Sequence, residues 1–250
     1  MSALLLVLLG LIVGALVEGV VSSFHYDASL RPWPRCRSCG RAAPLVALVP
    51  LAGVVCAPCC RGCRRSSWLR AAQVQGATAA VFLVLGTQYA ARPLLLTVSL
   101  IEAAVLVAVL FIDLELRLIP TLLVVLLVVL ALGSAIFWPG LGLVSALEGG
   151  AIGFGAFALL IGLARLVFGA GALGLGDAYL ALAIGCITGY PLVAYTLAFG
   201  VFLGGFGALA VLAVRRSEGL RSTIPYGPYL VLGVLYVLAH GNTVSPLIRL

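Results

Sequence analysis

Apolar residues in this chain form long continuous runs, without the regular apolar–polar alternation of a water-soluble domain. A run of about 20 apolar residues is long enough for a helix to cross the hydrocarbon core of a bilayer. On this criterion the sequence predicts an all-α, multi-pass membrane bundle of about eight transmembrane helices. The expected spans cover residues 3–23, 71–91, 94–112, 118–138, 144–168, 177–190, 192–214 and 226–242.

Composition and charge support the membrane class and predict an orientation. Hydrophobic residues make up 63% of the chain and charged residues 9%, far more apolar than a soluble domain requires. The net charge of +7 comes from arginines, eight of which lie between Arg31 and Arg70. With the N-terminus outside, only Arg92 and Arg249 fall outside the cytoplasm. The positive-inside rule therefore favours this orientation, and the basic residues are not taken as a nucleic-acid site.

The pattern divides the chain into three parts. Residues 1–23 form a first transmembrane helix, residues 24–70 a cytoplasmic Cys-rich insert, and residues 71–250 the main transmembrane bundle. The first span has no basic segment before it and no A-x-A-like cleavage site, so we expect it to be a retained span and not a signal peptide.

The insert carries three C-x-x-C pairs: Cys36 with Cys39, Cys56 with Cys59, and Cys60 with Cys63. Two such pairs separated by 15–20 residues are typical of a tetrahedral zinc site. The gap after the first pair is 16 residues to the second and 20 to the third, so spacing leaves the partner pair open. Disulfides or free thiols are alternatives, although a cytoplasmic location disfavours disulfides. Four thiolates leave no position for water, so the zinc would be structural.

Two aspartates are expected on the same side of the membrane. Asp113 ends the third predicted span in "FIDLELRLIP", and Asp177 opens the sixth in "GALGLGDAYL". When two carboxyl groups lie close together, one stays protonated and the other ionised, so they can polarise a carbonyl and activate a water. Gly174 and Gly176 would let an extended substrate backbone approach. The alternative is that Asp177 only caps a helix N-terminus.

Other polar and small residues inside the spans have structural interpretations. We expect Glu18 to be a buried acid with a local partner; the alternative is that it enters the substrate groove. The same two interpretations apply to Glu102 and Glu148, for which hydrogen bonding within the bundle is the expectation. Cys186 is expected to be a small buried apolar residue. The glycine clusters are expected to permit close helix packing; they comprise Gly149, Gly150, Gly153 and Gly155, and Gly200, Gly204, Gly205 and Gly207.

Four features together resemble the type IV prepilin peptidases, which are bacterial GxGD-type intramembrane aspartic peptidases. They are "FIDLELRLIP", "GLGD", the cysteine insert after the first span, and "TIPYGPYLVLG". The resemblance covers nearly the whole chain and implies that Asp113 and Asp177 are the catalytic pair. It also implies an inner-membrane location and substrates that are prepilins or pseudopilins, cut after a short basic leader on the cytoplasmic side. The zinc ligands that the resemblance implies for this chain are Cys36, Cys39, Cys60 and Cys63.

Members of this family commonly also methylate the new N-terminus with S-adenosylmethionine. Three positions of this chain depart from the family pattern: Glu18 replaces an expected Asn, Gln75 a Glu, and Tyr179 a Lys. Both aspartates are unaffected by these changes. Methylation is therefore an expectation separate from peptidase activity, and no residue is assigned to it.

Two other functions account for parts of the sequence. An ion-coupled transporter could use the membrane acids, but it predicts inverted-repeat symmetry that the sequence does not show. A zinc-stabilised assembly scaffold would depend on Cys36 and Cys39 and not on the aspartates. The peptidase is favoured because it alone explains Asp113, Asp177 and the adjacent glycines together.

Overall fold

A computed structural model of the chain describes residues 2–24, 68–138, 140–168, 174–219 and 226–248. The regular structure in these ranges is helical, which confirms the predicted all-α class. In chain order the helices are α1 (Ala3–Phe24), α2 (Trp68–Tyr89), α3 (Pro93–Leu116), α4 (Thr121–Ala135), α5 (Leu143–Phe168), α6 (Leu175–Thr188), α7 (Leu192–Gly219) and α8 (Gly227–Ile248). The six cysteines of the predicted zinc site lie outside the described residues.

Five of these helices are long and apolar enough to cross a membrane: α1, α2, α3, α5 and α7. Helices α4 and α6 are equally apolar but have only 15 and 14 residues. At 1.5 Å per residue they are about 21–23 Å long, less than the roughly 30 Å hydrocarbon thickness. Leucines on the outer faces, such as Leu4, Leu122 and Leu166, are exposed, as expected for side chains in contact with lipid.

The chain divides into two compact units, Met1–Ile112 and Asp113–Leu250. In the first unit, α1 packs closely against α2 because α1 presents glycines at the contact. A Cβ atom placed on Gly14 would lie 2.7 Å from the Cα atom of Gln75. Near the same end of the two helices, Arg70 Nη1 donates to Glu18 Oε1 at 2.8 Å. Glu18 is therefore a buried acid with a partner, as expected, but the partner is distant in the sequence.

In the second unit, α6 is the central helix and packs against α4, α5, α7 and α8. Its contact with α5 is close because Gly149 and Gly153 lie against the α6 backbone at Gly185 and Ala181. The predicted packing role of these glycines is therefore confirmed. The prediction is wrong for Gly155 in α5 and Gly205 in α7, where an added Cβ would have nothing within 4 Å. Cys186 is buried as predicted, with 3% of its surface exposed.

Candidate active site

The segment around Asp113 folds as the end of one helix, a short link and the start of another. Helix α3 ends at Leu116 because Arg117 takes the left-handed conformation, with φ of 54°. The Arg117 N–H still donates to the Asp113 carbonyl at 2.9 Å. Pro120 then precedes α4 in an extended conformation. Asp113 therefore lies in the last turn of α3, three residues before Leu116.

The Asp113 side chain is 4% exposed. Its Oδ2 atom is buried and has no hydrogen-bond partner among the residues that the structure describes. A buried carboxylate oxygen normally has a donor, because desolvation without a hydrogen bond is costly. The exception at Oδ2 is typical of a functional group that interacts with a substrate or a reacting water.

Asp177 lies in the first turn of α6, where Gly174 is the N-cap residue. The Asp177 carboxylate accepts the backbone N–H of Gly174, and the Asp177 N–H donates to the Gly174 carbonyl at 3.2 Å. This reciprocal arrangement is like the one that Glu or Gln makes at the third position of a capping box. The helix-capping role considered for Asp177 is thus present in the structure. Capping alone does not require a second acid nearby.

The two aspartates are separated by 64 positions in the sequence but interact in space. The Asp177 carboxylate is near enough to Asp113 for its negative charge to act on the Asp113 carboxyl group, and both side chains belong to the second unit. Two carboxyl groups that interact in a partly dry site titrate as a unit and can retain one shared proton at neutral pH. The arrangement therefore supplies a base and an acid at the same place.

Ile119 packs against two of the glycines that surround the aspartates. A Cβ atom on Gly176 would lie 3.1 Å from the Ile119 Cβ, and one on Gly227 would lie 3.3 Å from the Ile119 Cδ1. Gly174 is exposed, and an added Cβ there would come no nearer than 3.8 Å to another atom. The two glycines expected to line a substrate groove thus differ, because Gly176 is a packing position and Gly174 is open. Their contact with substrate stays a prediction.

Sequence reasoning did not assign a role to two residues that lie against the aspartates. The backbone N–H of Gly227 is within hydrogen-bonding reach of the Asp113 carboxylate. Tyr226 precedes Gly227, and its hydroxyl is near enough to Asp177 for the charge of that carboxylate to act on it. The available signal was the "TIPYGPYLVLG" motif, which contributed to the family resemblance without any assigned chemistry.

The remaining sequence-predicted positions are not part of this cluster. Glu18 and Gln75 are buried in the first unit. Tyr179 is 42% exposed and stacks on Phe154 with a ring-centroid distance of 5.9 Å. The described residues contain no group of three or more His, Cys, Asp or Glu side chains that could hold a metal ion.

These observations define a helical membrane protein with two interacting aspartates, one near a helix end and one at a helix start. Residues 100–209, which include both aspartates, match the type IV leader peptidase family. The match confirms the resemblance predicted from the motifs: residues 100–209 are similar to the type IV leader peptidase family.

Two curated relatives are named "Prepilin leader peptidase/N-methyltransferase". The protein from Myxococcus xanthus (strain DK1622) is 32% identical over 225 residues, which cover 86% of this chain and 65% of the relative. The protein from Dichelobacter nodosus is 27% identical over 221 residues, which cover 87% of this chain and 74% of the relative. The chain thus spans just under two thirds of the length of the first relative. No solved structure matches the chain at a significant level.

Proposed function

We propose that this chain is an intramembrane aspartic endopeptidase that removes the basic leader of type IV prepilins or pseudopilins. The observation that carries the proposal is the interaction of Asp113 with Asp177, formed by two helix ends within the region that matches the peptidase family. The printed names of the two relatives support the substrate class. The arginine distribution supports a reaction at the cytoplasmic face of the bacterial inner membrane.

The proposed chemistry uses one water and one shared proton. The ionised carboxylate takes a proton from the water, and the water oxygen attacks the carbonyl carbon of the scissile peptide bond. The protonated carboxyl group donates a hydrogen bond to the carbonyl oxygen, which becomes negatively charged in the tetrahedral intermediate. When the carbon–nitrogen bond breaks, a carboxyl group delivers a proton to the leaving amine. The products are a free leader carboxylate and a new N-terminus on the pilin.

Two cofactor assignments belong to this proposal. The four thiolates of Cys36, Cys39, Cys60 and Cys63 have the donor chemistry that zinc prefers, and zinc would stabilise an insert too small to form its own core. Cys56 and Cys59 are the alternative second pair. Methylation of the new N-terminus with S-adenosylmethionine is proposed only from the relatives' names, and no residue here is assigned to bind that cofactor.

The scaffold and transporter alternatives are not favoured. A scaffold has no need of two acids near each other, and the family match is to peptidases. A transporter gives no reason for the glycine-flanked aspartates at two helix ends.

Co-expression with a tagged prepilin tests the proposal. Wild type, Asp113→Asn, Asp177→Asn and Glu148→Gln would be compared for leader removal by gel shift and intact mass. Glu148 is a matched control because it is an exposed acid of α5. We expect cleavage by the wild type and Glu148→Gln, and none by either aspartate variant at equal membrane expression. Cleavage by an aspartate variant, or no cleavage of several prepilins by the wild type, would contradict the proposal.

A further inference from the structure

The residues that start α8 are not used in the mechanism above, yet they lie close to the two aspartates. Tyr226 precedes the helix, and Gly227, its first residue, lies against the Asp113 carboxylate. Ile119 packs against both Gly227 and Gly176, so the start of α8 and the residue before Asp177 share one neighbour, and Tyr226 is near enough to Asp177 for the charge of that carboxylate to act on it. We propose that Tyr226-Gly227 is a positioning element of the active site, in which Gly227 fixes the Asp113 carboxylate and the Tyr226 hydroxyl orients the reacting groups beside Asp177. The inference rests on the proposed peptidase function and adds two residues to it.

Asp113 needs such a partner because of its place in α3. It lies in the last turn, where the free carbonyls form the negative end of the helix and disfavour a carboxylate. The start of α8 supplies the compensating positive end. Its Tyr229 and Leu230 N–H groups donate to the Tyr226 carbonyl at 3.2 and 3.4 Å, and Pro228 has no N–H. The Gly227 N–H is thus the donor of the first turn that is directed at Asp113.

A side chain at position 227 would press on the Asp113 carboxylate. A Cβ atom there would lie 2.5 Å from Asp113 Oδ2 and 3.1 Å from its Cγ. The backbone of Gly227 is not in the left-handed region, so its conformation is open to other residues. The constraint therefore comes from the carboxylate itself, and an added methyl group would have to shift Asp113.

Tyr226 is held in place by packing against α7. A Cβ atom on Gly204 would lie 3.1 Å from the Tyr226 Cζ, so the absence of a side chain at Gly204 makes room for the ring. The Tyr226 hydroxyl donates to the Val201 carbonyl at 3.4 Å, which is long for an O–H···O bond. A hydroxyl bound this weakly can exchange that acceptor for Asp177 or for a water beside it. The Tyr226 ring would stay in place while the hydroxyl proton turns from the Val201 carbonyl toward the new acceptor.

Matched substitutions separate this role from a general packing role. Tyr226→Phe removes the hydroxyl and keeps the ring, and Tyr229→Phe makes the same change one turn further along α8. Gly227→Ala adds a methyl group against Asp113, and Gly205→Ala adds one where nothing lies within 4 Å. The assay is the cleavage of a prepilin by purified, reconstituted enzyme, with kcat and KM measured separately.

We expect Tyr226→Phe to lower kcat about 10- to 100-fold with little change in KM, since a hydrogen bond to a charged group is lost only at the reacting site. Gly227→Ala should lower kcat at least about 100-fold, because a displacement of about 1 Å at a catalytic group has that effect. Both controls should stay within about threefold of wild type. Equal losses in Tyr226→Phe and Tyr229→Phe, or an effect on KM alone, would overturn the inference.

A thermal-unfolding cycle tests the Gly227–Asp113 contact without any activity. Gly227→Ala should lower the melting temperature, and Asp113→Ala combined with it should recover most of the loss, because the added methyl group then has room. If the changes in melting temperature of the two single variants simply add in the double variant, Gly227 and Asp113 are not in contact and the inference is wrong. If the wild type cleaves no prepilin, the proposed function is wrong, but the thermal-unfolding cycle still shows whether Gly227 contacts Asp113. If it cleaves and the Tyr226 and Gly227 variants match their controls, only the present inference fails.

Discussion

The contact between α5 and α6 predicts opposite changes in stability for two glycine-to-alanine substitutions in α5. A Cβ atom on Gly153 would collide with the carbonyl oxygen of Ala181 in α6 and lie 3.0 Å from its carbonyl carbon. A Cβ atom on Gly155, two residues further along α5, would have nothing within 4 Å. Gly153→Ala and Gly155→Ala therefore add the same methyl group to the same helix, either between the two helices or away from the contact.

The expected magnitudes follow from this geometry. Replacing glycine by alanine in a helix stabilises the folded state by about 0.5–1 kcal/mol when the methyl group has room, which is the expectation for Gly155→Ala. Overpacking a close contact costs about 1–3 kcal/mol, so Gly153→Ala should have a net cost of about 1–2 kcal/mol. Relief requires α5 and α6 to separate by roughly 1 Å, since carbon atoms normally pack at about 3.5–4.0 Å. Asp177 would move with α6.

Thermal unfolding in detergent and prepilin cleavage together measure both consequences. Gly153→Ala should lower the melting temperature by about 2–8 °C and cleavage by about 100-fold, because Asp177 is displaced from Asp113. Gly155→Ala should keep wild-type cleavage and an equal or higher melting temperature. Equal melting temperatures for the two variants would refute the reasoning, as would a Gly153→Ala enzyme of wild-type stability.

Three further predictions concern the first unit, the insert and the product. Arg70→Gln should lower the free energy of unfolding by about 1–3 kcal/mol because it breaks the part-buried, charge-assisted hydrogen bond to Glu18; additivity with Glu18→Gln in a double-mutant cycle would contradict this. The purified protein should contain one zinc per chain by elemental analysis. Cys36→Ser and Cys60→Ser should lose that zinc and Cys56→Ser should keep it, whereas the reverse result for the last two would assign the alternative pair. The cleaved pilin should gain the mass of one methyl group if methylation is retained, and an unmodified product would limit the chain to peptidase activity.

The helices were predictable from the sequence because membrane spans are continuous apolar runs, but their ends were less so. The third span was expected to stop at residue 112, since Asp113 and Glu115 are polar. The helix instead continues to Leu116, because backbone hydrogen bonds in a helix do not depend on side-chain polarity. The common location of Asp113 and Asp177 followed from counting spans. Their direct interaction required the fold.

Contacts between segments that are distant in the sequence could not be predicted from the sequence alone. The spacing of Gly149 and Gly153 by four residues predicts one helix face, but which face meets α6 depends on tertiary packing, and Gly155 lies elsewhere. Glu18 was expected to have a local partner, yet Arg70 is 52 positions away and could not be identified. Gly227 was assigned no role, since a glycine has no side chain that would suggest chemistry.

The two shortest helices, α4 and α6, lie side by side and meet at the site through Ile119 and Gly176. Each is about 21–23 Å long, so in a bilayer they leave roughly 7–9 Å of hydrocarbon thickness unmatched. A bilayer responds to such a mismatch by thinning locally, which brings headgroups and their water toward the protein. Hydrolysis of a peptide bond at the membrane consumes water, and this local thinning would supply it beside the aspartates. Lipids with shorter acyl chains would then reduce the deformation that the enzyme must impose, so the thickness of the membrane becomes a variable of the reaction.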